Sequence, residues 1–112
     1  MTLATTLLLL VFSALLEVGG DALIRSGQRE HRLAFKLSLM FLGAAALAIY
    51  GYLVNVSPWD FGRLLGLYVV IFFVVAQLIS WLVFHQKPGL GVLVGGSFIV
   101  AGGVILTFFN PK

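Results

Sequence analysis

A chain of 112 residues that is 61% hydrophobic and only 10% charged is not a soluble domain, which usually carries about 25% charged residues. Its mean hydropathy of +1.11 marks an integral membrane protein with room for four spans of roughly 20 residues and no soluble domain. The lack of cysteine excludes a disulfide framework and thiolate metal sites. The formal charge of +3 would suggest nucleic acid in a soluble protein, but here the basic residues flank apolar runs, where they set topology.

The first predicted helix covers residues 3–24. Its apolar start has no basic residue before it and no small-x-small cleavage site after it, so it reads as a retained helix rather than a signal peptide. The polar, basic stretch Arg25–Arg32 follows, with Gly27 as the expected helix stop. A second helix over 35–56, beginning near Leu33 or Leu37, is alanine-rich in its middle and holds Gly43 and Gly51. Ser57-Pro58-Trp59-Asp60 is a turn with an interfacial tryptophan. The third helix, 62–84, is bulky and aromatic, with Tyr68, Phe72, Phe73, Trp81 and Phe84. After His85-Gln86-Lys87-Pro88, a fourth helix covers 89–109. The expected fold is therefore a single all-α domain of four transmembrane helices.

Charge placement predicts an orientation. Arg25, Arg29, Arg32, Lys36 and Lys87 lie in or beside loops 1 and 3, against Arg63 and Lys112 on the other side. This bias puts loops 1 and 3 in the cytoplasm of a cell that holds the protein in its inner membrane. Helix 4 carries small residues at Gly91, Gly95 and Gly102. In lipid there is little hydrophobic drive between helices, so close backbone approach through such residues supplies the contact. These three glycines are the expected dimer interface, with packing inside one chain as the alternative use.

The chemistry centres on Ser13-Ala14-Leu15-Leu16-Glu17-Val18-Gly19-Gly20-Asp21. On a helix, Ser13, Glu17 and Asp21 line one face and Arg25 continues the line. A charge at membrane depth costs on the order of 2.5–3.5 kcal/mol by insertion scales, so Glu17 has a functional reading by default. Its charged form is disfavoured among apolar side chains, and Asp21 adds repulsion unless Arg25 neutralises it. A group that is neutral when empty and anionic when paired with a cation couples proton release to cation binding. Tyr68, Phe72 and Trp81 could complete a cation site with their ring faces, and Gln77 is a polar group that needs a partner in lipid. The competing reading is a carboxylate bonded to Ser13, Tyr68 or Gln77 that only fixes packing. His31 and His85 lie in loops without metal spacing, and no nucleophile–base pair or phosphate loop is present. Neither an enzyme nor a cofactor is expected.

Leu16-Glu17-Val18-Gly19-Gly20 resembles the helix-1 signature of the small multidrug resistance family and its YnfA-like relatives, within the drug/metabolite transporter group. Gly62-Arg63 followed by Tyr68 is similar to the YnfA-like helix 3, where drug exporters carry tryptophan at the Tyr68 position. Ser80-Trp81, Gln86, Gly95 and Ala101-Gly102 follow the same pattern, and the likeness covers nearly the whole chain. It implies that Glu17 binds proton and substrate alternately; Tyr68 and Trp81 fall on its pattern, and Ser13, Asp21 and Gln77, read from the residues themselves, complete the expected site. It also implies a homodimer, often antiparallel, that exports hydrophobic or quaternary cations in exchange for protons, with Gly95 and Gly102 on the dimerisation stripe. Val70-Ile71-Phe72 replaces the family's central glycines, and Gly43 and Ala46 stand where exporters often place aromatic or hydroxyl side chains. The charge bias argues against an evenly mixed orientation, which keeps a parallel dimer or a partner subunit in play. Two other readings stay open: a subunit of a lipid-linked substrate flippase, and a membrane assembly protein in which Glu17, Asp21 and Arg25 form a polar clamp.

Overall fold

The computed structural model describes residues 2–109. Lys112, counted above for orientation, lies outside the described residues. Four helices follow one another: α1 Leu3–Gln28, α2 Leu33–Val54, α3 Phe61–Phe84 and α4 Leu90–Phe108. All four are long and apolar enough to cross a membrane. Helices suit that setting because each satisfies its own backbone groups where no water can. The chain divides into two compact units, residues 1–56 and 57–112, and each is a helical hairpin.

In the first hairpin, Thr2 caps α1 by accepting a 3.1 Å bond from the Thr5 N–H, the usual service of a threonine at this position. The far end corrects the expectation. Helix α1 does not stop at Ile24 but continues to Gln28, so Arg25 and Gly27 are helical. Gly27 is a packing position: a Cβ there would lie 2.6 Å from Met40 Cγ and 3.2 Å from the Lys36 carbonyl oxygen. Helix α2 comes too close for a side chain.

What ends α1 is reach from the next helix. Lys36 Nζ donates to the Gly27 and Gln28 carbonyls, both at 3.2 Å. This fills acceptors that a helix C-terminus leaves open and sets a cation at its negative end. Between the helices, the Arg32 side chain and backbone N–H both bond Glu30 Oε2, at 3.0 and 3.3 Å. The Arg32 guanidinium also lies 5.0 Å from the Phe35 ring centroid.

The hairpin closes tightest where glycine meets glycine. A Cβ on Gly20 would stand 2.9 Å from the Gly43 carbonyl oxygen, and one on Gly43 would stand 2.7 Å from that of Gly20. With no side chains between them, the two backbones meet directly, which is how helices associate in lipid.

The second hairpin uses glycine differently, as a socket for a larger side chain. Phe73 of α3 covers Gly96 of α4, Val70 covers Gly103, and Leu106 of α4 covers Gly66 of α3. Positions 66, 70 and 73 recur at helical spacing, so they form one face. One turn before this face, Arg63 donates to the Leu106 and Thr107 carbonyls at 3.3 and 2.9 Å and lies over the Trp59 ring at 4.1 Å. Arg63 thus closes the end of α4 as Lys36 closes the end of α1. Helix α3 stops at His85, whose backbone is left-handed (φ 58°, ψ 35°). There the Gln86 N–H returns to the Ser80 carbonyl at 3.0 Å, and the Ser80 hydroxyl bonds Gln86 Oε1 at 3.2 Å.

Gly43→Ala forces backbone apart and should lower stability by about 1–3 kcal/mol, as overpacking does. Gly19→Ala, which meets nothing within 4 Å, should raise it by about 0.5–1 kcal/mol. Denaturant titration in detergent measures both. The bonds from Arg32 hold the Glu30 carboxyl below the usual carboxylate range. A lowered group stabilises the fold above its unfolded-state range and gives that up as pH falls through its folded midpoint. The turn should therefore loosen only below the ordinary carboxylate range, and Arg32→Gln should return the Glu30 carboxyl resonance to an ordinary titration.

Candidate functional site

Glu17 lies about 21 Å along α1 from Leu3 at 1.5 Å per residue, and its side chain is half-buried. The four residues expected on one face differ in setting. Ser13 is fully buried, Glu17 is half-buried, and Asp21 and Arg25 are exposed. The Ser13 hydroxyl donates to the Leu9 carbonyl at 2.8 Å, so its proton is spent within α1. In the loop of this hairpin Arg32 and Glu30 form an ion pair at 3.0 Å.

The hydroxyl that α2 brings to Glu17 belongs to Tyr50, a residue not singled out from the sequence. Tyr50 is half-buried and comes within hydrogen-bonding reach of the Glu17 carboxylate, with the Asp21 charge also acting on it. The register follows from the glycine contact. Gly20 faces Gly43, Ala46 and Leu47. One turn back along α1 stands Glu17, and in the antiparallel hairpin the matching step along α2 reaches Tyr50. A tyrosine within an apolar run was the available signal, but only the helix pairing says which carboxylate it meets.

Thr6 was also passed over. It lies seven residues before Ser13, on the same side of the helix, and its buried hydroxyl oxygen has no partner among the described residues.

Tyr68, Gln77 and Trp81 all belong to the second hairpin. Tyr68 is buried at 6% exposure, with its ring 6.3 Å from that of Phe72 and tilted by 42°. Gln77 and Trp81 share a groove of about 580 Å³ between α3 and α4, with Phe73, Pro88, Ser97 and Val100 among its other lining residues. Tyr68 is not part of that lining. The groove is apolar apart from the Gln77 amide, the Trp81 indole N–H and the Ser97 hydroxyl. The last of these is spent on the Leu93 carbonyl at 2.8 Å.

The helix 4 glycines separate into two sets. Gly96 and Gly103 pack under α3, whereas a Cβ on Gly91, Gly95 or Gly102 would meet nothing within 4 Å. The three residues expected at a dimer interface are therefore not used in packing this hairpin.

Four apolar helices of spanning length, one of them carrying a half-buried carboxylate, make this a multi-pass membrane protein. Residues 3–112 match the family described as "Uncharacterised BCR, YnfA/UPF0060 family", and the chain belongs to that family. It is similar to a UPF0060 membrane protein of Rhodococcus erythropolis, with 42% identity covering 95% of this chain and 97% of the relative. It is 34% identical to the UPF0060 membrane protein YfjF of Bacillus subtilis, over 96% of this chain and 95% of that protein. A UPF0060 membrane protein of an Arthrobacter strain is 35% identical over 100% of this chain and 97% of the relative. No solved structure matches the chain.

Proposed function

We propose that this protein is a proton-coupled exporter of hydrophobic or quaternary cations, in which Glu17 binds proton and substrate in turn. The observation that carries the reading is a half-buried carboxylate inside a spanning helix, with the Tyr50 hydroxyl of α2 within hydrogen-bonding reach. A carboxylate held by a neutral donor keeps both of its states within reach. A proton neutralises it, or a cation pairs with it, and in an apolar setting the two compete strongly. No covalent chemistry is involved, so the protein acts as a carrier rather than an enzyme.

The working form is a homodimer, in keeping with the resemblance to the small multidrug resistance family. Each chain supplies two hairpins, and two inverted copies would create the inverted-repeat arrangement that many transporters use for alternating access. The open positions of Gly91, Gly95 and Gly102 favour α4 as the contact, because small residues let helices approach closely in lipid. Loops 1 and 3, which hold most of the basic residues, face the cytoplasm of the inner membrane. Gln77 and Trp81, which line one groove, would offer an amide and a ring face to a cation passing along the second hairpin.

Glu17→Gln, reconstituted in proteoliposomes with a proton gradient, should lose coupled uptake of a lipophilic quaternary cation; undiminished exchange would sink the reading. The dimer has its own test. Gly95→Leu and Gly102→Leu should each weaken the dimer association constant in detergent about tenfold, which is about 1.4 kcal/mol. Inter-subunit cross-linking reads this, and an unchanged dimer in both variants would remove α4 as the contact.

A further inference from the structure

The first hairpin contains one contact that the proposed exchange at Glu17 does not yet use. Helix α2 is apolar through its middle and end, and Tyr50 is its half-buried polar side chain at that level. Its hydroxyl comes within hydrogen-bonding reach of Glu17. The backbone independently sets the same pairing: a Cβ on Gly43 would lie 2.7 Å from Ile24 Cγ1, and equal steps from that contact, back along α1 and on along α2, bring residues 17 and 50 level. Within the hairpin, Ser13 could have served Glu17 from one turn away, but its proton goes to the Leu9 carbonyl.

We propose that Tyr50 is a positioning residue for Glu17: its hydroxyl donates to the ionised carboxylate and holds it against α2 in the cation-ready state. A hydrogen bond donated to a carboxylate is roughly twice as strong as one donated to a neutral acceptor. The bond therefore favours the ionised form over the protonated one. Other charged groups of this hairpin also bear on Glu17, among them Arg25, two turns along α1. Asp21 stands one turn along α1 and opposes ionisation by repulsion. On α2, Lys36 is held at the far end on the Gly27 and Gln28 carbonyls, and Tyr52 is exposed. Tyr50 thus works against Asp21 and the apolar surroundings in setting how readily Glu17 gives up its proton to a cation. The inference rests on Glu17 being the exchange site and adds the group that tunes it.

The chain makes the test clean, since Glu17 and Glu30 are its only glutamates. Selective ¹³C labelling of the glutamate side-chain carboxyls gives two resonances, and Glu17→Gln identifies which is which. Glu30 lies in the loop and serves as an internal reference. Tyr50→Phe removes only the oxygen, so Glu17 should bind its proton about tenfold more tightly. Its midpoint then moves up by about one pH unit while that of Glu30 stays in place. The apparent affinity for tetraphenylphosphonium at fixed pH should fall by a similar factor, because proton and cation compete for the carboxylate. Tyr52→Phe should change neither. Gly43→Ala keeps both side chains but parts the helices, so it should move the Glu17 midpoint the same way and add nothing in the Tyr50→Phe background.

An unmoved Glu17 midpoint in both Tyr50→Phe and Gly43→Ala overturns the assignment. Because the titration is read without transport, the two readings fail separately. Persistent exchange by Glu17→Gln would overturn the exporter and leave the Tyr50 bond standing. A fixed midpoint would remove Tyr50 and leave the exporter untouched.

Discussion

The site on the first hairpin depends on two glycines touching. Lipid tails are as apolar as leucine, so burying leucine against leucine gains little inside a membrane, and helices associate where their backbones can come close. Gly20 and Gly43 provide that approach, with carbonyl oxygens where side chains would otherwise stand. The contact holds α1 and α2 together and also chooses their register. The register then decides that the Glu17 carboxylate meets a tyrosine rather than an aliphatic side chain. Gly27, one heptad beyond Gly20, continues the same seam toward the loop.

Charge is handled by position along the helices. At the hairpin ends the ionic groups are engaged: Lys36 and Arg63 on helix-terminal carbonyls, Arg32 and Glu30 on each other. Such bonds use groups that a helix leaves open in any case and stay where water can reach, so they cost little. Glu17 lies away from those ends. Its partner from α2 is a neutral hydroxyl, which lowers the cost of a charge without cancelling it.

Much of this was legible in the residues. Four spans follow from four apolar runs of sufficient length, and the observed helices α2, α3 and α4 begin and end within about two residues of expectation, the usual disagreement at helix ends. The end of α1 was misjudged for a physical reason. Gly27 signals a stop when a helix is considered alone, but here it makes room for α2, and Lys36 supplies the cap from eight residues beyond Gln28. Glu17 stood out because a carboxylate in an apolar run is conspicuous. Tyr50 did not, because tyrosine in a membrane helix is ordinary until its opposite number is known. Arg63 looked like a flanking charge, since nothing local joins it to Thr107 across 44 positions. What the sequence hides in each case is which residues come level when two helices pair.

The two clamps also differ in when they can form. Lys36 reaches carbonyls eight and nine positions before it, so the end of α1 can be closed as soon as the start of α2 exists. Arg63 has no such partner at hand. Its acceptors lie at the far end of its own hairpin, and its bonds to them must wait until residue 107 has been made and α4 has folded back. Only in the finished hairpin, therefore, does Arg63 become a structural bond. The first clamp is thus local while the second waits for its whole hairpin, with the order set by chain length alone.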